Sequence, residues 1–124
     1  MHFCCMRPHK NLLAWKESIV LVKDIYLITS KFPDTEKFGL TSQLRRASVS
    51  ISANISEGGA RNTKKEFIHF LYISSGSLSE VETLLIISTD LNYISSVEFE
   101  KIENQMNRIS ALLQGLIRKL KSES

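Results

Sequence analysis

The sequence predicts an all-α protein, an antiparallel up-down bundle of four helices. Three observations predict it. Four stretches carry apolar residues at spacings of three and four, the period of a helix with one buried face. Turn chemistry follows two of them, at Phe32-Pro33-Asp34 and Gly58-Gly59. Two of the stretches open with a Ser/Thr-x-x-Glu signature, in which side chains cap a helix start. With 124 residues the chain suits one domain around one core.

The first helix is expected over 12–30. Leu12, Trp15, Ile19, Val22 and Tyr26 form one stripe, and Leu13, Val20 and Leu27 a second. A helix apolar on two sides has two sets of neighbours. The stop at Phe32-Pro33 follows from steric exclusion of helical angles before proline. The second helix is expected over 40–57. Its period is ambiguous, because Val49, Ile51, Ala53 and Ile55 alternate as in a strand. Leu40, Leu44, Ala47, Ile51 and Asn54 fit a helical pattern over a longer window, and length decides for helix. Gly58-Gly59 reads as its stop signal.

The third helix is expected over 64–92, behind the capping signature Thr63-Lys-Lys-Glu66. Phe67, Leu71, Ser74, Leu78, Val81, Leu85 and Ser88 share a stripe. Gly76 stands mid-helix, at a cost of roughly 1 kcal/mol relative to alanine. Close approach of another helix is the expected compensation. The fourth helix is expected to follow Ser95-Ser-Val-Glu98 and run to about Lys121, with Phe99, Ile102, Met106, Ile109, Leu113, Leu116 and Leu120 at heptad rhythm. The domain thus spans 10–121, after a leader over 1–9 expected to be flexible and before a tail of 122–124. The surplus apolar surface on the first helix predicts a subunit interface.

A net charge of +3 and a pI near 9.0 permit contact with an anionic partner without requiring it. The longest apolar runs, such as Leu84-Leu-Ile-Ile87, fall short of a membrane span, and no signal-peptide core precedes the first helix. The expected location is cytoplasmic, with no membrane partner. Cys4 and Cys5 are adjacent and form no disulfide framework; with His2 and His9 they match no tetrahedral zinc spacing. Neither metal nor cofactor is expected.

No catalytic constellation emerges. Ser50 lacks the strained elbow and histidine partner of a nucleophile. His69 lies among Phe67, Ile68 and Phe70, as a packed histidine does. The segment Gly58-Gly59-Ala-Arg61 lacks the Walker and Rossmann spacings. The expectation is therefore a non-enzymatic protein. Arg46, Asn54, Glu57 and Glu80 are placed by helical geometry where a hydrogen-bonded network could specify the bundle. A catalytic acid/base pair is the less favoured reading of the same residues. Lys10, Lys16, Arg45, Arg61, Lys64 and Lys65 are the candidate nucleic-acid contacts, with an ordinary solvated face as the alternative. Without base-reading motifs, such binding should be sequence-independent and salt-sensitive.

The residues His9-Lys-Asn-Leu…Trp15-Lys, Phe32-Pro33…Glu36, Gly39-Leu-Thr-Ser-Gln-Leu-Arg-Arg-Ala47, Ser50, Ala53-Asn-Ile-Ser-Glu-Gly58, Phe70-Leu71, Gly76-Ser77 and Glu80 resemble a four-helix-bundle family. Its members include proteins encoded by intervening sequences of bacterial 23S rRNA genes. The resemblance runs from His9 to Lys121, with Ser56 where many members carry alanine. It implies a cytosolic homo-oligomer, with a five-membered ring favoured. It also implies kinship with the basic, pentameric accessory protein of diversity-generating retroelements, which binds nucleic acid and a reverse transcriptase. Two functions stay open: a nucleic-acid-binding accessory factor for RNA or DNA, and a scaffold that docks a partner protein.

Overall fold

The computed structural model describes residues 12–123. Four helices are present: α1 (Leu13–Thr29), α2 (Leu40–Gly59), α3 (Lys64–Asp90) and α4 (Ser96–Ser122), with one 3-10 turn at Asp34–Glu36. No strand occurs among the described residues. Each helix packs against two others in the cyclic order α1, α2, α3, α4. Cross-helix contacts fix the directions. Glu17 pairs with Arg108, Asp24 with Gln105 and Lys31 with Glu98, so α1 and α4 run antiparallel. Ser50 meets Ser77 and Ser74 meets Ile51, so α2 and α3 do too.

The core is aliphatic. Leu21 and Ile25 of α1, Leu44, Ile51 and Ile55 of α2, Leu71, Val81 and Leu85 of α3, and Ile109 and Leu113 of α4 are fully buried. Ser18, Ser48, Ser52 and Ser88 are also buried. Each donates to a carbonyl three or four residues back, so their polarity is satisfied within the helix. Buried Ser18 explains why the α1 core line differs from the expected stripe. Its core line is Ala14, Ser18, Leu21, Ile25 and Ile28, while Trp15, Ile19 and Val22 are half-buried flanks. In α4 the buried position near the end is Ile117 rather than Leu116. A straight helix drifts past a strict seven-residue repeat.

Caps form where the sequence places them. Thr63 accepts from the Glu66 amide at 3.1 Å. Ser95 and Glu98 form the reciprocal box, at 3.1 and 3.0 Å. The α2 start has no such residue of its own. Glu36 supplies the carboxylate instead, accepting from the Leu40 amide at 3.2 Å and the Tyr93 hydroxyl at 3.1 Å. Asn92 takes a left-handed φ of 66° in the turn before α4, a conformation asparagine tolerates.

The second helix does end at Gly58-Gly59, with both glycines as its last two residues rather than beyond it. Gly58 is buried, and a Cβ there would lie 2.9 Å from Phe67 Cδ1 and from Phe70 Cβ. It lets the start of α3 approach. Gly76, expected at a close helix contact, instead faces open space: beyond its own turn of helix, no atom lies within 4 Å of a Cβ built there. By length and composition α3 is apolar enough to cross a membrane. Here its inner face packs on α2 and α4.

Gly58→Ala is expected to destabilise by about 1–3 kcal/mol through overpacking, despite alanine's better helix propensity. Gly115→Ala, whose nearest neighbour would be the flexible tip of Arg118 at 3.9 Å, should stabilise by up to about 1 kcal/mol. Urea denaturation distinguishes them. Glu98 is held below the usual carboxylate range by its bond to Lys31, then by the Ser95 amide. Because the folded value is depressed, its contribution is present above the ordinary carboxylate range and is lost as pH falls through the depressed value. Glu98→Gln should therefore flatten acid destabilisation in that window, by under about 1 kcal/mol for so exposed a pair.

Candidate nucleic-acid interface

The structure scatters the six basic residues singled out from the sequence. Lys10 lies outside the described residues. Lys16 is exposed on the outer face of α1. Arg61, Lys64 and Lys65 do gather at the α2–α3 junction, but two of them are already neutralised. The Arg61 guanidinium is 2.6 Å from Glu57 and 3.9 Å from Glu66, and it covers the Phe70 ring at 4.8 Å. Lys64 pairs with Glu123 at 3.3 Å. Those carboxylates offset the unfavourable position of cations at a helix N-terminus. Lys65 is exposed.

The expected network of Arg46, Asn54, Glu57 and Glu80 does not assemble. Asn54 is half-buried and donates to the Ser50 carbonyl and hydroxyl at 2.8 and 3.0 Å. Glu57 is committed to Arg61. Arg46 and Glu80 are exposed, with no bond between them. The core position assigned to Asn54 belongs to Ile55. What links α2 to α3 is smaller: the Ser50 and Ser77 hydroxyls at 2.9 Å, and the Ser74 hydroxyl donating to the Ile51 carbonyl at 2.8 Å. Ser50 thus shares its hydroxyl with a serine and an amide, and His69 stands edge-on to Phe70 at 5.4 Å. Among the described residues no group of three or more histidine, cysteine or carboxylate side chains could hold a metal. The Cys4–Cys5 segment lies outside them.

A different cationic surface emerges where α1 ends and α2 begins. Lys37, Arg45 and Arg46 line an open groove of about 460 Å³, together with Tyr26, Phe38, Thr41, Ser42 and Val49. No carboxylate is among these residues. Arg45 is positioned rather than loose. Its Nε donates to Thr29 Oγ1 at 2.9 Å, an Nη donates to the Tyr26 carbonyl at 3.4 Å, and its guanidinium lies 4.6 Å over the Tyr26 ring. Phe38 is 88% exposed, the Lys37 ammonium 5.6 Å from its ring centre. A ring that open gains nothing from burial within this chain, and its π-face is available for stacking.

Of the six basic candidates only Arg45 belongs to this groove. The sequence reading does not single out Lys37 and Phe38, and it assigns Arg46 to the polar network rather than to this surface. The signal in the sequence was the pair Lys37-Phe38 followed eight residues on by Arg45-Arg46. Lys37 and Phe38 stand in the turn just before α2 and Arg45 and Arg46 in its second turn, and the two pairs line the same groove.

A family model described as 23S rRNA-intervening sequence protein matches residues 10–115. A solved structure is also similar: a protein of unknown function from the S23 ribosomal protein family of Bacteroides thetaiotaomicron. It is 26% identical, with a TM-score of 0.77, over 86% of this chain and 96% of that one. No curated protein matches.

Proposed function

Since the chain belongs to the 23S rRNA-intervening sequence protein family, we propose that it is a non-enzymatic, cytoplasmic homo-oligomer that binds nucleic acid without sequence preference, as an accessory factor to RNA or to a reverse transcriptase. The observation that carries this reading is the groove of Lys37, Arg45 and Arg46 around the open Phe38 ring, with no carboxylate in its lining. Cations on flexible stems neutralise phosphates, and an exposed ring accepts a base face of any identity. A ring of five copies, the assembly favoured by the family resemblance, would present the groove five times and raise avidity without new contacts. A second reading, a scaffold for a partner protein, is supported by the exposed apolar side chains of α1 and α3. Capture from the native host that survives nuclease treatment would favour it.

Fluorescence anisotropy with a single-stranded RNA and a duplex, at two salt concentrations, tests the main reading. Binding should weaken with salt. Absence of binding at low salt, or indifference to salt, would overturn it. Lys37→Gln with Arg46→Gln should lower affinity and reduce the logarithmic salt slope by about 2, one unit for each lost phosphate contact. Arg61→Gln with Lys64→Gln should leave that slope nearly unchanged, because both cations already face carboxylates. Phe38→Ala should weaken single-strand binding by roughly ten-fold or more and duplex binding far less, since only unpaired bases offer a free face.

A further inference from the structure

We propose that the start of α2 holds the terminal phosphate of a nucleic-acid strand, with the base of that end nucleotide on the Phe38 ring. The proposal rests on the groove reading above and deepens it. The ligand becomes a phosphomonoester at a strand end, not only the diesters of a strand interior.

Thr41 carries the inference. It is 8% exposed and is the one buried residue in the groove lining. Seven serines and threonines are buried among the described residues, and six of them donate to a main-chain carbonyl. The Thr41 hydroxyl makes no hydrogen bond within the chain. Its place as second residue of α2 explains the difference. The carbonyls three and four residues back belong to Phe38 and Lys37, which precede the helix. A hydroxyl withdrawn from water without a partner costs stability, and a ligand oxygen in the groove would supply the partner.

Other donors gather around it. The first amides of a helix have no carbonyl within the helix to meet. At the start of the 20-residue α2, the Leu40 amide is taken by Glu36 and the Gln43 amide by the Gly39 carbonyl. The Thr41 and Ser42 amides between them have no acceptor in the chain, and both residues line the groove. Arg45 spends its Nε on Thr29 and one Nη on the Tyr26 carbonyl, which leaves its other Nη without a partner. Lys37 and Arg46 stand exposed on the same lining. Glu36 is the carboxylate at this helix start. It is held by Leu40 and Tyr93 and does not line the groove.

This donor set exceeds what a strand interior uses. An internal phosphodiester offers one negative charge and two free oxygens. A terminal monoester offers nearly two charges at pH 7 and three strong acceptor oxygens. Helix-start amides with adjacent hydroxyls and cations suit such a group. The space agrees: about 460 Å³ is the size of a small-ligand pocket, room for an end nucleotide rather than a long run. Phe38 and Thr41 are three residues apart, so at most about 11 Å separates their Cα atoms. One nucleotide can therefore reach the ring with its base and Thr41 with its own phosphate.

Fluorescence anisotropy with one single-stranded sequence in three forms tests this: 5′-phosphorylated, 3′-phosphorylated and unphosphorylated. One phosphorylated form should bind wild type roughly ten-fold or more tightly than the unphosphorylated strand, and the arm that gains tells which end is held. Thr41→Val should cut that preference to under about three-fold, because it removes one charge-assisted hydrogen bond. It breaks no bond within the chain, so thermal unfolding should stay at or above the wild-type midpoint. Ser42→Ala, an exposed change, should reduce the preference in the same direction. Arg61→Gln with Lys64→Gln should retain it in full. Equal binding of all three strands, or a preference that survives Thr41→Val and Ser42→Ala, overturns the terminal site and leaves general binding at the groove standing. Failure of every strand to bind at low salt overturns the groove reading with it.

Discussion

The close approach of α2 and α3 is the constraint on which the rest depends. It is built from what side chains lack. Gly58 admits Phe67 and Phe70 into space a methyl group would fill. Ser50, Ser74 and Ser77 put hydroxyls where larger groups would hold the helices apart. Helices this near allow a hydroxyl on one to reach the main chain of the other, as Ser74 does with Ile51. A buried hydroxyl without a partner would be costly, so the bond restricts how the helices can slide. The α2–α3 turn is short, and the remaining helices complete the core around this pair.

The fold was legible because helix periodicity, caps and breakers agreed with one another. Both Ser/Thr-x-x-Glu signatures proved to be helix starts, and the stripes of α3 and α4 proved to be core almost residue for residue. Errors arose wherever a residue's role depended on a neighbour distant in sequence. Glycine after a helix pattern reads as a stop, but Gly58 answers to two phenylalanines on another helix. Asn54 was one position from the core, a rotation that a ladder of small residues cannot resolve. Serine reads as polar, although a helical serine can return its proton to its own backbone and be buried like alanine. Glu36 capping α2 from outside the helix has no local pattern at all.

The candidate site was harder to read for a related reason. Counting cations along the chain favoured the Arg61–Lys64–Lys65 cluster, because proximity in sequence is visible and neutralisation is not. Glu57 reaches Arg61 one turn away, and Glu123 reaches Lys64 from the far end of the chain. Lys37 stands alone in the sequence, and Arg46 reads as a network residue rather than a free cation. They matter because no carboxylate accompanies them in the groove. An ion pair in water is worth little to stability, but it removes a cation from the set free to meet phosphate.

One end of the bundle is tied more heavily than a loop requires. The Phe32 and Tyr93 rings pack at 5.4 Å, the Tyr93 hydroxyl holds Glu36, and Lys31 grips Glu98 at 2.8 Å. The two connections at that end are thereby fastened to each other. The same carboxylate that anchors Tyr93 also receives the first amide of α2, two residues after Phe38. The backbone beneath the open ring is thus held before any ligand arrives. Freezing it on contact would otherwise subtract conformational entropy from affinity. For the binding proposed at this groove, a latch between the two loops would lower the entropy lost when a ligand settles on Phe38.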